Sequence, residues 1–396
     1  MPNIIPNSAL SALAHSLLAG PLALETLTTR ARHTLGRNYP WLPALLSGVA
    51  QTFAPQTRPR HRTLINFLRH HPILQNVRAL PIAQHLPAPP QMVSPFAWPV
   101  PPLPTLSELA AYFAITPTQL AWFADPNASH YHGLTQPKPS GGLRHLAAPK
   151  PCLKAIQRQL LSGILNHLSL HPAAHGFCPG RSVLSFVAPH VAQPAILRLD
   201  LADFFPSISK PRVAALFRTA DYPEPVADTL AGLCCHRGTL PQGAPTSPAL
   251  ANAIAFKLDC RLSGLANSLH LQYTRYADDL ALSGPRLPHN LADHVGAILL
   301  DEGFTPNYRK TRRMGPAQRQ HLTGLTLNEK PNLPRPAYDE LKAILTNCLR
   351  HGPESQNRQA HPAFAQHLQG RILHLATVNP TRAARLQKLY NQVTFP

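Results

Sequence analysis

The sequence predicts an α+β fold in which helices pack against an antiparallel sheet. Alternating apolar residues predict a strand in AILRLDLADFF, residues 195–205, and a hairpin in HLQYTRYADDLALSG, residues 270–284. Apolar residues at helical spacing predict helices in LKAIQRQLLSGILNHL, residues 153–168, and in TSPALANAIAFKLDCRLSGLANSL, residues 246–269.

The first 80 residues are predicted to form a basic helical extension. Leu42, Leu45 and Leu46 have helical spacing, and the segment has eight arginines but a single acidic residue, Glu25. Nine of the 24 residues from 81 to 104 are proline. Because proline is excluded from helix interiors and central strands, residues 81–104 are predicted to be an extended connector.

Two short helices are predicted in PTLSELAAYFAITPTQLAWFAD, residues 104–125. Thr105 or Ser107 is the candidate N-cap of the first helix, Thr116 is that of the second, and Pro117 is expected at the first helical position. The next segment, KPSGGLRHLAAPK at residues 138–150, alternates weakly about a Gly-Gly turn signal and is predicted to be a hairpin.

The two longer helices are each predicted to bury one apolar stripe. In the second, Ser247 is the candidate N-cap and Pro248 the first helical residue. The stripe residues are Leu153, Ile156, Leu160, Ile164 and Leu168 in the first helix, and Leu250, Ile254, Leu258 and Leu262 in the second.

The charge balance favours a polyanionic partner. Lysine and arginine total 37 against 18 acidic residues, a formal net charge of +19. Nucleic acid is the commonest partner of this kind, and a membrane surface is the alternative. No stretch reaches the roughly 18 uninterrupted apolar residues of a spanning helix. The N-terminus has no basic region before its apolar part, which indicates a helix rather than a secretion signal.

The spacing of cysteine and histidine indicates neither a disulfide framework nor a metal site. The six cysteines include no CxxC pair, and the 22 histidines lack the spacing of an HExxH site. A reducing cytoplasm is the compartment that fits this pattern.

Acidic residues at the ends of two predicted strands are the candidate catalytic groups. Asp278 and Asp279 lie at a predicted hairpin turn, where aspartate is also common for conformational reasons alone. Asp200 ends another apolar strand, and Asp203 follows three residues later. Clustered carboxylates repel one another unless a cation is present, and Mg²⁺ is commonly held by few carboxylates plus substrate phosphates. Two such metals can stabilise the attacking and leaving oxygens of phosphoryl transfer.

Five segments, in order, resemble the successive motifs of a reverse transcriptase palm, and those of bacterial retron-type enzymes in particular. They are DLADFF, LPQGAPTSPALAN, YADD, NYRKT and LTGLTLN. The resemblance runs from about Thr105 to about Tyr390. YADD alone is a weak motif, but its occurrence in order with LPQGAPTSP and the strand-terminal Asp200 is specific.

The resemblance implies a right-hand polymerase with fingers, palm and a helical thumb. The fingers and the start of the palm would occupy residues 105–195, the palm residues 196–330, and the thumb residues 331–396. The palm would be the antiparallel sheet backed by helices.

The resemblance also implies the catalytic residues. Asp200 and Asp278 would hold two Mg²⁺ ions, for which Mn²⁺ could substitute. Asp279 would assist as a third metal-binding residue or contact the primer side. Lys310 would donate a proton to the leaving pyrophosphate, and Asp203 would lie under the incoming triphosphate.

Residues from three motifs would hold the incoming nucleotide. Phe205 would exclude a ribose 2′-hydroxyl, Gln242 would contact the nucleotide, and Arg144 with Lys138 would neutralise the triphosphate. Core packing of Phe205 and simple solvation of the basic residues are the structural alternatives. The other residues expected to contact nucleic acid are Gly243, Tyr276, Arg309, Arg312, Arg313 and Gly324.

A retron-type enzyme implies a structured non-coding RNA as template and primer. Extension from a 2′-hydroxyl of that RNA would give a branched RNA–DNA product, within an anti-phage system that includes an effector protein. Two family elements depart from their usual form: Asn-Ala-x-x-His is FVAPH here, residues 186–190, and Val-Thr-Gly is Leu322-Thr323-Gly324. These departures leave open how the RNA is recognised.

Two other interpretations remain. One is a related defence-associated reverse transcriptase with different priming, and the other is a non-catalytic RNA-binding protein on the same fold, which would bind by counterion release. Retention of the whole predicted site disfavours the second. That site comprises Asp200, Asp278, Asp279, Gln242, Arg144 and Lys310.

Overall fold

The computed structural model describes residues 5, 7–18, 22–35, 38–53, 59–77, 98–137 and 143–395. Within these ranges it contains both helices and antiparallel strands, in agreement with the predicted α+β class. Lys138 and most of the predicted connector, residues 81–97, lie outside the described residues. The described end of the connector, residues 98–104, forms neither helix nor strand.

The described residues before the connector form an N-terminal helical unit with its own apolar core. Leucines at helical spacing, such as Leu13, Leu17, Leu64 and Leu68, are completely buried in that core. Four arginines of the unit face solvent: Arg32, Arg60, Arg62 and Arg69. The helices are α1 (Asn7–Leu18), α2 (Leu24–Leu35), α3 (Leu42–Thr52), α4 (His61–His70) and α5 (Pro72–Gln75).

Two short helices and a hairpin follow. Thr105 and Thr116 each cap a helix within a reciprocal capping box, and Pro117 is the first residue of the second helix, as predicted. The strands pair antiparallel, and the turn between them lies outside the described residues. These elements are α6 (Leu106–Tyr112), α7 (Pro117–Ala124), β1 (Tyr131–Pro137) and β2 (Leu143–Pro149).

The first long helix is shorter than predicted. All five stripe residues are buried, but α8 (Pro151–Gly163) ends before the last two of them, and the chain continues as a 3₁₀ turn at Leu165–His167. Glycine at position 163 leaves room for the Tyr112 hydroxyl group, since a Cβ there would lie 1.8 Å from the hydroxyl oxygen. A short helix, α9 (Val183–Val187), comes next.

The second long helix is divided in two at Ala255. Its parts are α12 (Ser247–Ile254) and α13 (Phe256–Ser268), and they follow α10 (Lys210–Thr219) and α11 (Glu224–Cys234). The prediction that Ser247 caps the helix is wrong, since Thr246 is in the N-cap position. The Ser247 hydroxyl instead donates to the Pro241 carbonyl oxygen at 2.7 Å, because it is buried against the preceding loop.

A five-stranded antiparallel sheet lies at the centre of the chain. Its order is β4-β5-β3-β6, with β7 also paired to β3. Apolar side chains of β3, such as Leu199 and Leu201, pack with the helices in one continuous core. The strands are β3 (Ala195–Ala202), β4 (Gln272–Tyr276), β5 (Asp279–Gly284), β6 (Thr305–Pro306) and β7 (Arg312–Met314), and α14 (Leu291–Asp301) lies between β5 and β6.

A small hairpin leads to a C-terminal helical bundle with a separate core. Leu345, Leu368 and Leu386 are completely buried in it. The elements are β8 (His321–Leu322), β9 (Leu325–Thr326), α15 (Arg335–His351), α16 (Phe364–Val378) and α17 (Pro380–Tyr390). None of the described helices has both the length and the apolar content that crossing a bilayer requires.

Candidate active site

Strand pairing brings carboxylates from two distant parts of the chain to one end of the sheet. Asp200 on β3 is the register partner of Asp279 on β5, and Asp278 precedes β5 in the turn after β4. The Asp278 carbonyl oxygen accepts a 2.9 Å hydrogen bond from the Leu201 amide. Since paired residues of antiparallel strands have Cβ atoms about 4.5–5.5 Å apart, the three acids lie together.

The turn that carries Asp278 is supported from behind by a buried ion pair. Arg275 of β4 donates to the Ala277 carbonyl oxygen at 3.2 Å and binds Asp259 of α13 at 2.6 Å, with both charged side chains completely buried. Ala277 has a φ of +54°. A Cβ on Gly176 would lie 2.5 Å from the Ala277 nitrogen, so glycine is required where this neighbouring loop meets the turn.

Burial and neighbouring negative charges both act on the Asp278 carboxyl group. Burial, and then the neighbouring charges of Asp279 and Asp200, raise the pKa of Asp278 to about 6. Burial also raises the pKa of Asp279, although the Arg198 guanidinium opposes this effect. Arg198 donates from Nε and Nη2 to the same Asp279 Oδ1, at 3.1 and 2.9 Å. Sequence reasoning missed Arg198, although a charged residue two positions before Asp200 on an apolar strand was a usable signal.

A second set of groups reaches Asp200 from the turn after β6. Asn307 donates from its amide nitrogen to the Asp200 carbonyl oxygen at 2.6 Å and from Nδ2 to Oδ1 at 3.1 Å. Lys310 Nζ lies 2.8 Å from Asp200 Oδ2. Both carboxylate oxygens are therefore engaged. Asn307 was not among the predicted site residues, although it belongs to the same NYRKT segment as Lys310.

The acidic cluster has the donor chemistry of a divalent-cation site, but it does not form a complete metal cage. Asp200 already attracts a cation, the Lys310 ammonium, while burial and then nearby negative charge raise the pKa of Asp278. Among the described residues, no group of three or more histidine, cysteine, aspartate or glutamate side chains is arranged to hold a metal. Arg198 forms an ion pair with Asp279, the third predicted carboxylate. Asp200 and Asp278 could hold a metal together with substrate oxygens.

A cavity of about 370 Å³ is lined by residues that lie close in the chain to Asp200 and to the Gly176 loop. Phe205, five residues after Asp200, contributes to its wall, and so does Phe177, which follows the Gly176 that contacts the turn. The predicted nucleotide-binding residues Arg144, Phe205 and Gln242 line this cavity, and so does Gly243, a predicted nucleic-acid contact. The lining also includes three residues that sequence reasoning missed, namely Lys154, Arg158 and Phe177.

The sequence contained a signal for the two basic residues that were missed, but none for Phe177. Lys154 and Arg158 are one turn apart on the exposed face of α8, opposite its apolar stripe. Phe177 is an exposed aromatic residue with a φ of +60°, and its ring centroid is 6.1 Å from that of Phe205. Its place in the cavity depends on a loop conformation that no periodic pattern predicts.

Gly243 permits a close contact within the protein itself. Its φ is +125°, and a Cβ there would lie 3.0 Å from the Ala147 carbonyl oxygen on β2. The Gln242 carbonyl oxygen accepts a 2.8 Å hydrogen bond from the Ala147 amide. The loop and the β1–β2 hairpin are thus joined at the cavity.

The remaining predicted residues have varied surroundings. Asp203 is exposed, with a φ of +47°, in the turn after β3. The Tyr276 ring packs against Phe186 at a centroid distance of 5.8 Å. Arg309 and Arg312 are exposed, and Gly324 has a φ of +87° in the β8–β9 turn. Arg313 is exposed as well, and its guanidinium donates to the carbonyl oxygens of Leu287 and Pro288, while that of Arg312 donates to the Thr311 carbonyl oxygen.

Part of this chain is similar to known reverse transcriptases. Residues 136–327 match the family described as reverse transcriptase (RNA-dependent DNA polymerase). Over 283 residues the chain is 42% identical to retron Mx65 reverse transcriptase of Myxococcus xanthus, an alignment that covers 65% of this chain and 64% of that protein.

Two further relatives of this chain show similar identity. Retron Mx162 reverse transcriptase of Myxococcus xanthus is 36% identical over 63% of this chain and 60% of its own length. Retron Ec86 reverse transcriptase of Escherichia coli is 39% identical over 52% of this chain and 65% of its own length. The matched part of the chain thus spans less than two thirds of the length of each of the three relatives.

The histidine retained from the retron-type Asn-Ala-x-x-His element, His190, lies in the core of this protein. It is completely buried, its Nδ1 lies 2.6 Å from Ser283 Oγ, and its Nε2 lies 2.8 Å from Thr274 Oγ1. Burial lowers its pKa to about 3. His190 therefore joins β4 and β5 and cannot reach an RNA without local unfolding.

Proposed function

We propose that this chain is an RNA-directed DNA polymerase that performs nucleotidyl transfer at the Asp200–Asp278 end of the sheet. The observation that carries the proposal is the meeting of acids from β3 and from the β4–β5 turn at one end of the sheet. A cavity lined by Arg144, Phe205 and Gln242 is the proposed site of the incoming nucleotide. The similarity to retron reverse transcriptases supports it.

Two Mg²⁺ ions are the proposed cofactor, with Mn²⁺ as a substitute. Asp200 and Asp278 would bind them with substrate phosphates, while Asp279 supports the cluster from its Arg198-bound position. Bound there, the ions would supply charge stabilisation to the attacking and leaving oxygens.

The reaction joins a primer hydroxyl oxygen to the α-phosphorus of a nucleotide and breaks the bond to pyrophosphate. Lys310, whose ammonium now binds Asp200, would turn to the pyrophosphate and donate a proton. Arg144, Lys154 and Arg158 would neutralise the triphosphate from the cavity wall. Asp203 would lie beneath it.

Specificity would reside in the cavity and the surrounding basic surface. Phe205 would exclude a 2′-hydroxyl, and Gln242 would contact the incoming nucleotide. Lys138, Arg309, Arg312, Gly243, Tyr276 and Gly324 remain proposed contacts to nucleotide or nucleic acid. Arg313 is also a proposed contact, although its guanidinium already binds two carbonyl oxygens of the 287–288 segment.

The proposed template and primer is a cognate structured RNA, and the proposed product is a branched RNA–DNA hybrid made in anti-phage defence with an effector protein. The names of the relatives and the net charge of +19 support a nucleic-acid partner. The six cysteines are free thiols, which supports a reducing cytoplasm.

The proposed domain division begins with an N-terminal extension at residues 1–80 and a connector at 81–104. The proposed fingers and start of the palm follow at 105–195, the palm at 196–330 and the thumb at 331–396. Separate apolar cores in the N-terminal helical unit and in the C-terminal bundle support its outer boundaries. Fingers and palm share one core.

A primer-extension assay with an RNA template and Mg²⁺ tests the polymerase proposal. The parent chain is expected to incorporate deoxynucleotides, and Asp278→Asn is expected to lose at least about 10³-fold in rate because a proposed metal ligand is neutralised. Asp228→Asn, an exposed acid on α11, is the matched control and should retain parental activity. Equal incorporation by Asp278→Asn and the parent would refute the site.

Sequencing the nucleic acid that co-purifies from cells expressing the locus tests whether the chain is a retron-type enzyme. Short DNA covalently attached to RNA is the expected product. Its absence, with primer extension intact, would favour a reverse transcriptase with different priming.

A further inference from the structure

A stack of aromatic rings joins the N-terminal helical unit to the turn that holds Asp200. His15 of α1 stacks on the Tyr308 ring with centroids 4.0 Å apart and an interplanar angle of 2°. His61, the first residue of α4, lies 3.5 Å from the His15 ring and 5.2 Å from the Tyr308 ring. Tyr308 lies between Asn307 and Lys310, whose side chains bind the two oxygens of the Asp200 carboxylate.

The rings are held from several sides. A Cβ on Gly296 of α14 would lie 3.1 Å from His15 Nδ1, so glycine allows α1 to approach the helix closely. Asp293 Oδ1, also on α14, lies 3.5 Å from the same nitrogen. His61 Nε2 lies 3.3 Å from the Ser11 carbonyl oxygen. The position of the imidazoles is therefore determined by α1, α4 and α14 together.

The stack is uncharged at neutral pH. Burial lowers the pKa of His15, although Asp293 opposes this effect, and burial together with His15 lowers the pKa of His61 to about 4. The Tyr308 hydroxyl is also buried, and burial raises its pKa. Neutral rings can stack closely without the cost of burying a charge.

We propose that the N-terminal helical unit positions the Asp200 carboxylate: His15 and His61 clamp Tyr308, and the clamped ring holds the Asn307–Lys310 turn against Asp200. This inference rests on the proposed polymerase function of Asp200. Tyr308 is a positioning residue, because it acts through Asn307 and Lys310 rather than on the substrate.

The local geometry explains why the turn needs support from outside. It is closed by hydrogen bonds of 3.1 Å from the amides of Lys310 and Thr311 to the Asn307 carbonyl oxygen. The Lys310 side chain is half exposed, so its ion pair with Asp200 has limited strength by itself. A loosened turn would leave the Asp200 carboxylate less well positioned for a metal ion, so Mg²⁺ would bind more weakly.

Amide hydrogen exchange of the full-length chain, without metal or substrate, gives the first test. In His15→Ala and Tyr308→Ala, amides of residues 307–311 should exchange about ten-fold faster than in the parent, because local opening becomes easier. Tyr308→Phe keeps the ring and should match the parent. Phe53→Ala is the matched control, since Phe53 packs on Phe67 inside the N-terminal helical unit.

The Mg²⁺ dependence of primer extension gives the second test. His15→Ala and Tyr308→Ala should raise the half-saturating Mg²⁺ concentration about ten-fold while kcat at saturating Mg²⁺ stays within about two-fold of the parent. A loss of folded enzyme would instead lower activity equally at every Mg²⁺ concentration. Phe53→Ala and Tyr308→Phe should keep the parental Mg²⁺ midpoint.

The two tests separate this inference from the proposed function. Parental exchange and a parental Mg²⁺ midpoint in both His15→Ala and Tyr308→Ala would overturn the inference while leaving the polymerase assignment intact. If the parent chain shows no incorporation, the polymerase proposal fails, and the exchange rates alone decide whether the N-terminal helical unit holds the turn.

Discussion

At the scale of single residues, Asp278 is placed where its charge is unfavourable. Its folded-state pKa of about 6 exceeds the ordinary value of 3.8 because of burial and the neighbouring acids. The folded protein therefore binds more protons than the unfolded chain between these values. The carboxyl group contributes stability that is fully present below pH 3.8 and is lost as the pH rises through about 6.

Replacing this carboxyl group should stabilise the protein without added divalent ions. At pH 7.5, Asp278→Asn is expected to raise the free energy of unfolding by roughly 1–3 kcal/mol, and the gain should vanish near pH 4. Urea unfolding of both proteins across this pH range measures the difference. Asp228→Asn should show no such pH dependence, and a constant difference for Asp278→Asn would contradict the electrostatic explanation.

Phe205 allows a test of sugar selection. Phe205→Ala should increase the incorporation of ribonucleotides relative to deoxynucleotides by at least about ten-fold, because the steric barrier to a 2′-hydroxyl is removed. Single-nucleotide extension with both substrates gives the ratio. Phe177→Ala, which removes another ring of the same cavity, is the matched control. An unchanged ratio in Phe205→Ala would leave core packing as the role of this phenylalanine.

At the scale of structural elements, the β4–β5 turn depends on a helix behind it. Arg275 and Asp259 form three hydrogen bonds with Tyr273 and with each other, in a site without solvent access. Arg275 also reaches Asn252 of α12, which binds the Gly176 carbonyl oxygen. Two helices, the Gly176 loop and the turn before Asp278 are thus coupled through one guanidinium.

Breaking this pair should be costly. Arg275→Ala leaves the Asp259 carboxylate buried without its partner and is expected to lower the free energy of unfolding by about 3–5 kcal/mol. Chemical denaturation measures the change, and primer extension should fall with it because the Ala277 carbonyl oxygen loses its donor. Arg335→Ala, which removes an exposed ion pair on α15, should leave stability unchanged. Equal effects of the two variants would disprove the proposed support.

At the scale of the whole molecule, the chain combines a large excess of positive charge with a small cluster of acids. The net charge of +19 attracts a polyanion, while clustered acids at one end of the sheet repel it unless cations are bound. These two features together favour the binding of a nucleic acid with divalent ions between its phosphates and the acids.

Binding of the full chain to a structured RNA should depend steeply on salt. If six or more phosphates are neutralised, affinity should fall about 10³-fold or more between 50 and 200 mM salt, because bound counterions are released. Filter binding or fluorescence anisotropy across this range gives the slope. A flat salt dependence would show that the positive surface does not contact the RNA backbone.

The linear sequence predicted the candidate acids of the site and the kind of element that carries each. Asp200 ends an apolar strand, and Asp278 lies at a hairpin turn, because strand alternation and turn preferences are local properties of the chain. Capping at Thr105 and Thr116 was predictable for the same reason, since each capping box spans four residues. The ordered motifs also predicted the family.

Only the tertiary structure decided how these groups are engaged. Arg198 binds Asp279, Lys310 and Asn307 bind Asp200, and His190 is enclosed between strands, because contacts between residues up to 110 positions apart depend on strand register and loop conformation. The same holds for the division of the long helix at Ala255 and for the stack of His15 on Tyr308. The spacing of apolar residues predicts which face of a helix or strand is buried. Which other element packs against that face depends on the three-dimensional packing of the whole chain.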